Sequence, residues 1–170
     1  MNYPPHLTKA EMINALYDEY THLMRVIHAL DGAQMVTAGV LGDWSVKDIL
    51  AHLIFWTRFP MAEVSAALRG EPYPFDHSDP NAVNAQSVAL YEYSPAQDAV
   101  RDFVSAFWAT MQFVRDLPES VFEPDSPVEQ LLGDTLSGAF GNNTWEHYAL
   151  HRADIEAWLA RKQFTVDSSK

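Results

Sequence analysis

Between Thr8 and Leu30 the apolar residues Ile13, Leu16, Tyr17, Tyr20, Leu23, Met24, Ile27 and Leu30 recur every three or four positions. That spacing lines one face of an α-helix. Thr8-Lys9-Ala10-Glu11 at its start has the form of a capping box, in which a hydroxyl and a carboxylate each satisfy a free backbone donor. A first helix is therefore predicted from there to just before Asp31-Gly32. Residues 32–42 are rich in small side chains and lack a period, so they read as a connection.

A second helix is predicted after Ser45, the expected N-cap, with Asp48 in its first turn, where a carboxylate favours the positive end of the helix dipole. Its inner stripe is Ile49, His52, Leu53, Trp56 and Phe59 or Pro60, with a bend near Pro60 and an end at about Arg69-Gly70. Residues 71–80 carry three prolines and read as a loop, and Asp79-Pro80 starts a short helix through Tyr91. Ser94-Pro95-Ala96-Gln97 has the form of a second capping box. It opens a third long helix to Leu117, with Val100, Phe103, Val104, Phe107, Met111, Val114 and Leu117 inward.

Residues 118–133 read as a loop, and Asp134 or Thr135 caps the last long helix, whose stripe is Leu136, Phe140, Thr144, His147, His151, Ile155 and Trp158. Gly138 and Gly141 sit awkwardly there, because each costs roughly 1 kcal/mol relative to alanine inside a helix. They imply close packing or a later start. No bounded alternation of apolar and polar residues suggests a strand. The expected fold is all-α: a four-helix bundle with a short extra helix between helices two and three, one domain over residues 1–164 and a tail over 165–170.

Composition narrows the function. A hydrophobic content of 48% with 20% charged residues fits a folded globular chain. The net charge of -12 disfavours nucleic acid and anionic membranes as partners, and the few cations form no basic patch. No apolar run is long enough to span a bilayer and the N-terminus has no leader pattern, so a cytoplasmic protein is expected. The absence of cysteine removes thiolate nucleophiles and Cys-ligated zinc. Neither a Gly-x-Ser-x-Gly elbow nor a glycine-rich phosphate loop is present.

The remaining candidate chemistry is histidine. His147 and His151 are four residues apart, which on a helix puts both imidazoles on one face, one turn apart. His52 lies on the inner stripe of helix two. If helices two and four are neighbours, the three could form a metal site with an open position, holding Zn, Ni, Mn or Fe. The same pattern also arises from core histidines bonded to a carbonyl or carboxylate, and spacing alone does not choose between these. His6, His22, His28 and His77 lie off the inner stripes or in loops. Asp154, three residues beyond His151, and Tyr148, beside His147, are the weak candidates for a catalytic or supporting role. Asp48 is placed either to orient His52 or to cap its helix, and Trp44 fits an anchor for the first turn better than a stacking platform.

Gly42-Asp43-Trp44-Ser45-Val46-Lys47-Asp48-Ile49-Leu50-Ala51-His52-Leu53, followed by Trp56, resembles the second-helix signature of the DinB-like superfamily, specifically its ClbS/DfsB branch. Asn143-Thr144-Trp145-Glu146-His147-Tyr148 with His151 resembles that family's last-helix motif, and the similarity runs from the first helix to about Trp158. The resemblance implies a four-helix bundle, often a homodimer, with a divalent metal held at one end by His52, His147 and His151. The wider superfamily includes transferases and isomerases that use a low-molecular-weight thiol such as mycothiol, bacillithiol or glutathione. The ClbS-like branch is associated with self-protection against a DNA-damaging metabolite that bears a cyclopropane. Three expectations follow for this chain. The first is a metal site that activates a thiol or water to attack an electrophilic small-molecule substrate. The second is a resistance protein that binds or hydrolyses a reactive metabolite without needing the metal. The third is an orphan bundle whose histidines are structural.

Overall fold

Local capping chemistry starts most of the helices where the sequence places them. In the computed structural model, which describes residues 3–75 and 78–167 and side chains through Lys162, α1 spans Lys9–His28 and begins with the Thr8/Glu11 capping box. The short α2, Gly32–Val36, follows under a second reciprocal cap of Asp31 and Gln34. The expectation of a plain connection there missed this one-turn helix, which is too short to show a period. The long α3, Val46–Leu68, starts at Ser45 as expected, with Asp48 completing the box, and passes through Pro60.

The extra helix, α4, spans Pro80–Ala89 under an Asp79 cap, slightly shorter than expected, with Leu90 to Ser94 in turns. The next long helix, α5, spans Ala96–Asp116, and here the expected box fails: Pro95 is the N-cap and no side chain caps it. The 118–133 segment is also more ordered than a loop. It holds a 3-10 turn, Glu119–Phe122, and α6, Pro127–Leu132, capped by Ser126.

The last stripe is divided between two helices. Thr135 caps α7, Leu136–Gly141, and after a turn through residues 142–144 the chain resumes as α8, Trp145–Asp167. At the break, Thr144 Oγ1 donates to the Phe140 carbonyl at 2.6 Å and Asn143 Nδ2 to that of Ala139 at 2.8 Å, the kind of side-chain bond that competes with helix continuation. Gly141 marks a close approach, since a Cβ there would lie 2.9 Å from the Trp145 ring. The backbone of α8 is helical past Thr165, where the tail was expected; residues 168–170, like His77, lie outside the described residues.

Packing unites the four long helices, α1, α3, α5 and α8, around one core that includes Phe103, Phe107, Phe140, Trp145 and Tyr148. α3 packs chiefly on α5 and α1 on α8, while α3 and α8 meet over a shorter stretch. No strand is present among the described residues. The first-helix stripe is rotated from its expected phase: Met12, Ala15 and even Glu19 are buried, whereas Tyr17 is 48% exposed. Arg152 of α8 approaches the buried Glu19 carboxylate to 3.6 Å, an ion pair without a hydrogen bond. A second buried carboxylate, Glu129, accepts from the backbone N–H of Asp125 and of Leu136 and so ties α6 to the start of α7.

Candidate metal centre

Two helix starts determine the phase of the site. The Ser45/Asp48 box begins α3, and His52 follows on the buried face between Leu53 and Ala51. The break at residues 142–144 begins α8, whose first turns carry His147 and His151. The tertiary packing brings the three rings together: His52 Nε2 is 2.9 Å from His147 Nε2, and His151 Nε2 is 3.1 Å from the same atom. One ligand atom from each of the three residues lies within 4.8 Å of the others. His52 and His151 are buried and His147 is partly buried.

The hydrogen-bond partners settle two of the tautomers. Trp56 Nε1–H can only donate, so the Asn84 atom 2.8 Å away is the amide oxygen. That same Oδ1 lies 2.9 Å from His52 Nδ1 and can only accept, so His52 carries its proton on Nδ1 and presents a lone pair on Nε2. His151 follows the same logic, with Nδ1 3.0 Å from the Asp154 carboxylate and its Nε2 lone pair turned to His147. A single proton on His147 Nε2 can satisfy only one of these two lone pairs, and His147 Nδ1 is buried without a hydrogen-bond partner. Three nitrogens thus converge with at most one proton among them.

Charge reinforces this. Burial, with the neighbouring imidazoles adding to it, pushes the His52 pKa down to about 4 and that of His147 to about 3. Burial also lowers that of His151, against the opposing pull of Asp154. All three are neutral near pH 7, the protonation state a metal ligand needs. Ligand nitrogens about 2.0–2.1 Å from a tetrahedral zinc stand about 3.3 Å apart, so the two close separations need only small outward shifts. The donor set therefore fits a divalent ion.

The other sequence candidates are distributed around this centre. Asp154 sits where a supporting carboxylate belongs, on the outer nitrogen of His151. Tyr148 is fully buried, its hydroxyl 2.7 Å from Thr57 Oγ1 and its ring edge-on to Phe103, and burial raises its pKa. Asp48 spends its carboxylate on the Ser45 backbone and hydroxyl, so capping and not His52 is its task. Trp44 lies against His52 with ring centroids 5.2 Å apart and also lines an open cleft of about 430 Å³ beneath α4. His6 and His22 lie beside Glu129 and Glu19 instead. Sequence reasoning missed Asn84: one polar residue on a short polar helix carries no periodic or motif signal.

Residues 16–156 match the family model described as the mycothiol maleylpyruvate isomerase N-terminal domain. No curated protein matches the chain in sequence. Among solved structures, the sibling lethal factor precursor DfsB superimposes with a TM-score of 0.78 at 17% identity, covering 92% of this chain and 98% of its own. A protein from Streptococcus pneumoniae gives 0.76 at 13% identity, over 94% and 93% of the two chains. The colibactin self-resistance protein ClbS, solved in complex with double-stranded DNA, gives 0.74 at 12% identity, over 92% and 96%. These likenesses establish the shared all-α fold that the sequence resemblance implied.

Proposed function

The chain belongs to the mycothiol maleylpyruvate isomerase N-terminal domain family, and from that premise we propose that it is a metal-dependent enzyme acting on a small electrophilic molecule. His52, His147 and His151 are the ligands of a divalent Zn, Ni, Mn or Fe ion. The observation that carries this reading is the convergence of three Nε2 atoms, two of them committed as lone pairs by Asn84 and Asp154. When bound, the ion supplies Lewis acidity that lowers the pKa of a thiol or water reaching its open position. With no cysteine in the sequence, a thiol nucleophile has to come from a low-molecular-weight cosubstrate. The protein's own groups supply the rest: Asn84 and Asp154 hold two imidazoles in their ligand tautomers, and Trp44 covers one side of His52. A homodimer belongs to the same proposal.

Elemental analysis of protein purified without an affinity tag tests this. About one divalent ion per chain is expected, with His147→Ala weakening its retention. Metal-free protein whose affinity for added ions is indifferent to His147→Ala would remove the reading and leave the histidines structural.

The likeness to ClbS favours a second reading, a self-resistance protein that binds or hydrolyses a reactive metabolite without the metal. Protection by metal-stripped protein would support it, and strict dependence on metal and added thiol would count against it. The net charge of -12 argues that DNA is not the ligand of this chain, although ClbS was solved with DNA.

A further inference from the structure

α4 carries Asn84 toward His52 on one side, and with another part of its surface it walls a separate cavity of about 250 Å³ against α3. No member of the imidazole cluster lines this cavity. Its α3 wall includes Ala51 and Ala62, three turns apart, whose short side chains leave the space open. Around them stand Phe55, Phe59 and Tyr73, with Phe55 to Phe59 centroids 6.0 Å apart and Tyr73 edge-on to Phe59 at 5.7 Å. The volume exceeds the roughly 150 Å³ of an apolar cavity that accommodates benzene. One ring with a substituent, or two fused rings, is therefore the natural size of occupant.

Among the described residues, the one cation lining the cavity is Arg58, which is exposed. Its charge is felt by Tyr91 and Asp102, but Asp102 is already engaged by the Tyr91 hydroxyl at 2.9 Å and Arg101 at 3.0 Å. Among the described residues the Arg58 guanidinium donates no hydrogen bond and forms no ion pair. A planar fork of five donors beside aromatic walls matches a carboxylate carried on a flat ring. On a surface as acidic as this one, a guanidinium beside an apolar cavity also selects where an anion can settle.

We propose that the cavity between α3 and α4 binds a small aromatic carboxylate, with its ring among Phe55, Phe59 and Tyr73 and its carboxylate on Arg58. The apolar walls supply affinity and the guanidinium supplies the preference for an acid. This site does not depend on the three-histidine reading, and metal-free protein keeps the two apart because a carboxylate then has no metal to bind.

Titration calorimetry of metal-free protein with 2-naphthoate, and with 2-naphthamide as a neutral match, is the test. Wild type should bind the acid at least tenfold more tightly than the amide. Arg58→Gln, at an exposed position, should remove that preference by lowering the affinity for the acid to about that for the amide. With alanine methyls labelled for NMR, Ala51 and Ala62 should shift on addition of 2-naphthoate. No binding at millimolar ligand, equal affinity for acid and amide, a preference that survives Arg58→Gln, or binding that leaves both methyls unmoved would each overturn the proposal.

Discussion

Replacing Asn84 by leucine tests how far a residue outside the imidazole cluster controls it. The substitution removes one oxygen that accepts from two donors, Trp56 Nε1–H at 2.8 Å and His52 Nδ1–H at 2.9 Å. A buried donor left unpaired costs about 1–3 kcal/mol, and both His52 and Trp56 are buried. Asn84 itself is only partly buried, so water can replace some of what is lost, and the low end of the range applies to each donor. The expected loss is about 2 kcal/mol, or a fall in Tm of about 4–8 °C for a chain of this size.

The second effect is chemical. Without its acceptor, His52 gains nothing by keeping the proton on Nδ1, and a proton on Nε2 would point into the cluster and block a ligand position. Loss of such an outer partner typically lowers metal affinity about 10- to 100-fold. Nitrogen-15 NMR of the histidine rings in metal-free protein reads the tautomer, thermal unfolding reads stability, and chelator competition reads affinity. Wild-type protein with His52 protonated on Nε2 would refute the reasoning at its root. An Asn84→Leu variant with unchanged tautomer, Tm and affinity would show that the contact carries no control.

Three further outcomes are expected. In metal-free protein the folded pKa values of His52 and His147, about 4 and about 3, lie below the unfolded value near 6.5. The unfolded chain therefore takes up protons first, so stability is full above about pH 6.5 and falls as the pH drops toward 4, by about 1.4 kcal/mol per pH unit for each of the two. Denaturant melts across pH should show a shallower slope in His147→Gln, and an unchanged slope would contradict this. Tyr148→Phe strands the buried Thr57 hydroxyl, so a loss of about 1–3 kcal/mol with unchanged metal content is expected; lost metal at intact stability would instead assign Tyr148 to the site. Gly141→Ala should destabilise by about 1–3 kcal/mol in a thermal melt, because the Trp145 ring it meets is buried, and overpacking outweighs the gain in helix propensity. Gly138→Ala meets only the exposed Asp134 carboxylate, which turns aside at the cost of one exposed hydrogen bond from the Thr135 N–H, so a smaller loss than for Gly141→Ala is expected.

Much of the site was legible because its signals are local. A hydroxyl or carboxylate three residues from a free N–H marks a helix start wherever the chain goes, as at Thr8, Ser45 and Thr135. Two histidines four apart share a face on any helix, and His52 lay on the buried stripe of its own. The failures share a cause as well. The stripe through Phe140 and Thr144 continues in phase across the break, so periodicity hid it, and Gly141 was the only mark of the close contact with Trp145. Ser94 had the form of a box but no role as one, because the chain entered α5 one residue later at Pro95.

By itself, then, the sequence determined the all-α class, most helix starts and the inward phase of three imidazoles, because each depends on neighbours within about one turn. Only the tertiary structure decided that the three Nε2 atoms meet, that Asn84 and Asp154 fix the outer nitrogens of two, and that Asp48 does neither. His52 and His147 are 95 positions apart, and His52 and Asn84 are 32. Contacts over such separations are set by how the helices pack, and the physical reason is that burial aligns whole faces, while a hydrogen bond needs one atom placed to within a few tenths of an ångström.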